Sequence, residues 1–405
     1  YPDKMNAAEY AAYINDFNQA QTFSNAEIEE FRKTGGTDWL DAITQVGLRN
    51  DHQISYSQKL DKLSVYLSGR YNDEEGTMIN TKSGANYSLR SKIGFQPSKR
   101  LTMDLDITAA KSQTKNGGLS TGTSKADPFF QALIWSPTEP IWLDEENGIY
   151  NNSDHFGALL DSPYMNVMEQ NRFSESHNVT SLLNANYKIA DFLTYTVTGF
   201  AAKSGSASGN YRNVWLEPND PYGSRGQSEN FNWRLINKID FNKTFADAHN
   251  IILTGVYEAE ASESWSLSGT GKKMPLPDLA SFYTIGLSNE QSVSSGYGKT
   301  SRIAYMGRLN YNYKQRYYFT ASYRVDGKSG PANRVEENKF GAFPSFAASW
   351  RLSEEPFMKA NGLFDNLKFR AGWGQTGNPC PFVYTVMKSN NYDYGIGADI
   401  LGYIP

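Results

Sequence analysis

Four histidines, His52, His155, His177 and His249, are the side chains best suited to moving a proton or holding a metal near neutral pH. They fall on four different segments, and none shows the His-x-x-x-His spacing that sets two ligands on one helix face. Glu145, Glu146 and Asp154 supply carboxylates of the kind a glycosidase pairs across a cleft. Adjacent acids in a polar loop face solvent instead. Ser268-Gly269-Thr270-Gly271-Lys272-Lys273 has the flavour of a phosphate loop. It lacks the first glycine at the right spacing and a Ser or Thr after the lysine. Cys380 is the single cysteine, so no disulfide and no Cys-based metal site can form within the chain. The expectation is a protein that is not an enzyme and has no cofactor. Calcium is the one ion its loops could ligate, through Asn147, Asn151, Asn152 and Asp154, although no EF-hand spacing is present.

The aromatic residues of the polar stretches offer a different chemistry. Sugar rings stack their C–H faces on flat aromatic rings, while Asn, Asp and Arg bind the hydroxyls. Trp135, Trp142, Trp215 and Trp265 lie in long polar segments and are the candidate ligand contacts. The alternative is that these rings pack the loops against one another or against a partner.

The elements that would position them are strands. In Ser301–Leu352 the residues Ile303, Tyr305, Leu309, Tyr311 and Tyr313 take one parity, and Arg308, Asn310 and Asn312 the other. After the turn Lys314-Gln315-Arg316, Tyr317, Phe319, Ala321, Tyr323 and Val325 alternate with Thr320, Ser322 and Arg324. Side chains alternate faces along a strand, so this is a hairpin with one apolar and one polar face. Each arm is long enough to cross a bilayer as a tilted strand, and the tyrosines beside the turn suit the membrane–water boundary.

Similar alternation recurs from Ile54 to Trp373. Short connections (59–62, 97–100, 190–191, 242–250, 314–316, 353–365) alternate with longer ones (72–86, 110–177, 201–231, 260–302, 326–343). Short turns on one rim and long loops on the other is the topology of an outer-membrane barrel, and Greek-key crossings give no reason for it. Residues 1–36 differ: they are rich in helix formers, with Ser24 or Asn25 as a cap and Gly35-Gly36 as a stop. The chain has 405 residues, 39% of them hydrophobic, a net charge of −4 and a mean hydropathy of −0.58. No apolar run approaches the length of a membrane helix. The near balance of charge, and the lack of a basic stripe with interleaved aromatics, speak against nucleic acid as a partner.

Several stretches resemble the SusC/RagA-type TonB-dependent outer-membrane receptors. They are Thr37-Asp38-Trp39, Tyr71–Gly76, Tyr323–Gly327, Phe340–Ser345, Ser349–Met358 and Leu367–Asn378. The resemblance covers most of the chain, with the long loops least matched. It implies an all-β, antiparallel, up-and-down transmembrane barrel in the outer membrane of a Gram-negative bacterium. About twelve strands are expected here against roughly 22 in a closed, plugged transporter. Residues 37–405 would form this incomplete or open barrel portion, carrying extracellular loops 110–177, 201–231 and 260–302. The chain therefore reads as a fragment lacking the N-terminal plug and the segment that binds TonB. The resemblance further implies TonB-driven import of oligosaccharides or peptides with a SusD-like surface lipoprotein as partner. The alternative is a non-transporting, glycan-binding or adhesive outer-membrane β-protein.

Overall fold

The computed structural model describes residues 4–117, 127–152, 161–275, 280–329, 340–360 and 364–377. Helices α1 (Ala7–Asn18), α2 (Asn25–Thr34) and α3 (Trp39–Ile43) come first. Each begins where a side chain takes up backbone N–H groups that no helical carbonyl can reach. Asn6 and Glu9 form a reciprocal capping box on α1, and Ser24 and Glu27 another on α2. Gly35 closes α2 at a φ of +80°, a region open to glycine at little cost. Asp38 accepts from the Leu40 and Asp41 N–H groups to start α3.

Strands β1 (Arg49–Lys59), β2 (Leu63–Glu75), β3 (Lys82–Ser98) and β4 (Leu101–Lys115) follow. Helix α4 (Pro128–Ile134), a small ribbon of β5 (Trp142–Asp144) and β6 (Ile149–Tyr150), and helix α5 (Pro163–Met168) intervene before β7 (Asn171–Ala190). Next come β8 (Leu193–Arg212), β9 (Tyr222–Phe245), β10 (His249–Lys272), β11 (Glu290–Tyr313), β12 (Tyr317–Ser329) and β13 (Phe340–Arg351). Helix α6 (Pro356–Lys359) and β14 (Lys368–Gly374) complete the described elements. Strands β1–β4 and β7–β14 make one sheet of 12 strands in chain order, each antiparallel to its neighbours. This is the up-and-down arrangement the alternating pattern predicts. Among the described residues the sheet is open, with β1 and β14 as its edges.

Register explains the two faces. Leu193, Phe241, Leu253, Leu309, Ala321, Phe346 and Trp373 lie opposite one another across seven consecutive strands. One residue along, the matching row is Thr194, Asp240, Thr254, Arg308, Ser322 and Ser345. Directly opposed residues share a face, so one side of the sheet is apolar and the other polar. The apolar side stays in the open: Leu253 is 47% and Trp373 60% exposed.

The short connections are tight. Lys314 and Gln315 both take positive φ, and the Arg316 N–H donates to the Tyr313 carbonyl at 3.0 Å, a turn whose twist suits a hairpin. At the same rim Glu355 receives hydrogen bonds from the Tyr317 hydroxyl at 2.6 Å and the Trp350 indole at 3.1 Å. These bonds hold the connection between β13 and β14 against the β11–β12 turn.

The long loops are shorter than the sequence suggests. The expected loops 201–231 and 260–302 are largely strand, because β8 continues to Arg212, β9 starts at Tyr222, β10 reaches Lys272 and β11 starts at Glu290. Apolar–polar alternation marks a strand between a greasy and a wet environment. The upper halves of these strands are rich in Ser, Gly and Asn on both faces. They are held by the backbone ladder and leave no such mark.

Candidate functional site

The connections on the long-loop rim fold together with the N-terminal helices. Trp39, Leu40 and Ile43 of α3 pack with Ala132 and Trp135 of the α4 region and Val167 of α5, and Met78 and Ile79 join from the β2–β3 connection. The Trp39 indole donates to the Ser136 carbonyl at 2.8 Å, and the Thr37 hydroxyl to the Glu139 carbonyl at 2.6 Å. Thr37-Asp38-Trp39 thus acts as one unit, with a loop tie, a helix cap and a core ring in succession.

A chain of carboxamides fastens this core to the sheet. Asn116 donates to the carbonyls of Asn80 and Gln170, both at 2.9 Å, and accepts from the Arg172 N–H at 2.7 Å. Gln170 donates to Asn166, and Asn166 to Gln131, each at 2.8 Å. Asn80 and Asn116 sit at positive φ, which asparagine tolerates better than most residues. Buried carbonyls cost free energy unless a donor reaches them, and a primary amide supplies two.

The four candidate tryptophans part company. Trp135 is 8% exposed and meets Trp39 edge-on, with ring centres 6.0 Å apart. Trp142 stacks on Tyr150 at 4.3 Å, and Trp215 meets the same tyrosine edge-on at 5.2 Å. Those two are brought together around Tyr150, Met165 and Leu216. The Tyr150 hydroxyl donates to Glu169 at 2.7 Å; burial, and then that carboxylate, push its pKa up. Trp265 stands apart. It lies within β10, opposite Glu229 and Tyr297, on the face that carries Leu253. Of the residues considered for calcium, Asn147 bonds Asp144, Asn151 bonds Glu139 and Asn152 accepts from the Ser162 N–H. Asp154, His155 and Cys380 lie outside the described residues.

The polar face of the sheet carries a constellation that single-segment reading misses. Glu258, 8% exposed, lies 3.5 Å from Arg234, 3.0 Å from Arg302 and 3.3 Å from Arg324. Glu260 lies 2.8 Å from Arg234 and 3.1 Å from Arg302, and Asp326 2.8 Å from Arg324. Three guanidiniums and three carboxylates from four strands interlock. Each resides on the polar parity of its strand, the one signal that could have flagged them.

No family model matches the chain. Its sequence is 25% identical over 98% of its length to TonB-dependent receptor P3 of Formosa agariphila, and 23% identical over 97% to TonB-dependent receptor SusC of Bacteroides thetaiotaomicron. It spans 39% and 40% of those two proteins. In fold it superposes on the RagAB peptide transporter with a TM-score of 0.68, at 15% identity, covering 92% of this chain and 45% of that one. Sequence and fold agree on the resemblance read from the motifs: the chain is similar to a portion of the barrel of SusC/RagA-type TonB-dependent receptors.

Proposed function

We propose that this chain forms part of the wall of an outer-membrane transporter that imports oligosaccharides or peptides. The transporter works with a surface lipoprotein and is driven through TonB. The observation that carries this reading is the apolar belt. On β10 the outward parity runs apolar or small from Ile251 to Ala261 and turns charged at Glu263; on β9 it turns charged at Glu229, after Phe231, and on β11 at Lys299, past Ile303. About eleven residues rising ~3.4 Å each, at a tilt of ~45°, span ~25 Å, the height of a lipid-facing band. The face that would line the lumen is hydrophilic throughout the row through Thr254. The long-loop rim then faces the cell exterior, where a lipoprotein lid would meet the module around Trp39 and Tyr150.

The relatives point the same way in name: SusC is a TonB-dependent receptor, and RagAB is called a peptide transporter. Loop aromatics that remain half exposed, Trp142 and Trp215 among them, would contribute to substrate contact. The test is deletion of the gene in its own host. Growth is then scored on single glycans and on peptide mixtures, with and without a functional TonB. Loss of growth on one nutrient, reproduced by loss of TonB, supports import. Unchanged growth on all of them sinks it. Surface binding of a glycan without uptake would favour an adhesive role.

A further inference from the structure

The apolar face of the wall has a gap in its side chains. Gly255 and Gly307 lie directly opposite each other on β10 and β11. Glycine inside a strand marks a bulge, a left-handed backbone or the close approach of another group. The β10–β11 register is unbroken, and neither glycine has a positive φ, so close approach remains. The two glycines floor an open groove of about 500 Å³. Ile239 and Tyr323 wall its sides, and Leu253 and Leu309 continue it toward the short turns. Thr254, Arg308 and Ser322 also border it. They take the polar parity, where the Thr254 hydroxyl bonds Asp240 and the Ser322 hydroxyl bonds Ser345, so they meet the groove through backbone. At the short-turn rim, Lys243 sits over the rings of Phe192 and Phe245, 5.2 Å from each centre, and Lys314 over Tyr313 at 5.3 Å. We infer that groove and lysines together bind one phospholipid of the leaflet on the short-turn side. Its phosphate lies at Lys243 and Lys314, and an acyl chain runs past Leu253 and Leu309 into the groove. The inference rests on the transporter reading, which places this face in lipid, and goes beyond it.

Three features select this occupant. The first is charge. Neither ammonium forms an ion pair among the described residues, and Asp191 and Asp247 of the neighbouring turns pair with neither. Two cations without a carboxylate call for an anion, and at a bilayer surface that anion is phosphate. The second is continuity. The Lys314 N–H donates to the Ala248 carbonyl at 2.7 Å, which ties the two turns together, and Lys243 shares the outward parity of Phe241 and Ile239. The third is length. From His249, beside these turns, to Gly255 is about six residues, which is ~20 Å along the strand and ~14 Å in depth at a tilt of ~45°. One leaflet of a ~30 Å hydrocarbon core is ~15 Å deep. A chain anchored at the lysines therefore ends in the groove. A second copy of this chain fits less well. Two-fold symmetry would set it at the same height and bring its own Lys243 and Lys314 to the rim, not an anion.

The experiment uses the full-length protein in detergent, with native mass spectrometry of added dioleoyl phosphatidylethanolamine, dioleoyl phosphatidylglycerol or the phosphate-free dioleoylglycerol. Gly307→Leu fills the groove, and no atom lies within 4 Å of the position its Cβ would take. Lys243→Gln with Lys314→Gln removes the cations. Leu89→Phe, at an outward residue that is 65% exposed on β3, is the control. Heat-modifiable gel mobility confirms that each variant assembles. The expected result is one retained phospholipid per chain, with affinity lowered about tenfold in Gly307→Leu and in the double lysine variant, kept in Leu89→Phe, and at least about tenfold weaker for dioleoylglycerol. Equal retention in Gly307→Leu, or equal retention of dioleoylglycerol, overturns the inference. So does a dimer that carries no lipid and is lost in Gly307→Leu, since a second copy then fills the groove. If Gly307→Leu does not assemble, the double lysine variant decides, and unchanged affinity there overturns the inference. Cell fractionation separates the two readings. If the protein is recovered with the outer membrane but holds no lipid, only the lipid site falls; if it is recovered in the soluble fraction, the transporter reading falls with it.

Discussion

In the wall, Leu253 and Trp373 project half exposed from a sheet whose ladder satisfies its own backbone groups. In the long-loop module, Trp39, Ile43 and Val167 are sealed inside a core of the ordinary soluble kind. On the proposed transporter reading, lipid is the solvent of the wall's greasy residues, and the wall needs no second layer. On the same reading the module lies in water, where apolar residues are buried and hidden carbonyls bonded. One chain thus follows two opposite rules of burial, and the boundary falls where the outward parity turns charged.

The sharpest way to break that contrast is to strike the module's core. Trp39→Ala removes a ring that is 1% exposed and should cost the module about 3–5 kcal/mol. Limited proteolysis should then cut within 116–170, while the strands keep their heat-modifiable mobility. Equal loss of both would show that wall and module fold as one unit. Next in size is a charge on the belt. Leu253→Arg should cost about 2–4 kcal/mol in bilayer unfolding, while Thr254→Arg, one residue along and on the other face, should cost under ~1 kcal/mol. Similar costs would contradict the assignment of faces.

Smaller effects sharpen the comparison. Asn116→Ala takes away the side-chain donor to the Asn80 carbonyl and the nearer of two donors to the Gln170 carbonyl, and should cost the module about 1–3 kcal/mol. Asn250→Ala, on the polar face, should be near neutral because water replaces what is lost. Proteolysis in urea would compare them. The smallest effect is on pH. Hydrogen bonds from Tyr317 and Trp350, aided by Arg316 and opposed by burial, hold the Glu355 carboxyl below its usual range. A depressed carboxylate contributes stability that is complete above the ordinary glutamate range and is lost as pH falls through the folded value. Trp350 fluorescence should therefore shift only at acid pH, below the ordinary glutamate value. In Glu355→Gln that step should be missing; its persistence would assign the transition to another group.

Much of the wall was legible in the sequence. Local physics writes the alternation of Ile303–Tyr313, the Lys314-Gln315-Arg316 turn, the Ser24 cap and the Gly35 stop, since each depends on neighbours within a few residues. The upper strand halves were not, because Ser, Gly and Asn occur on both of their faces and leave no periodic pattern. The loop tryptophans show a second limit. A ring's type says that it wants an apolar partner. Whether that partner is Tyr150, Trp39 or a ligand depends on which segments the fold brings together.

The amino-acid order by itself determined that there would be a belt of alternating strands, short turns on one rim and longer connections on the other. Each of those is a local balance between backbone and solvent. Only the tertiary structure decided that Arg234, Glu258, Arg302 and Arg324 would meet, and that Phe200 would stand beside them on the polar face. Register between strands far apart in the chain sets those contacts, and a shift of one residue would send each side chain to the opposite face.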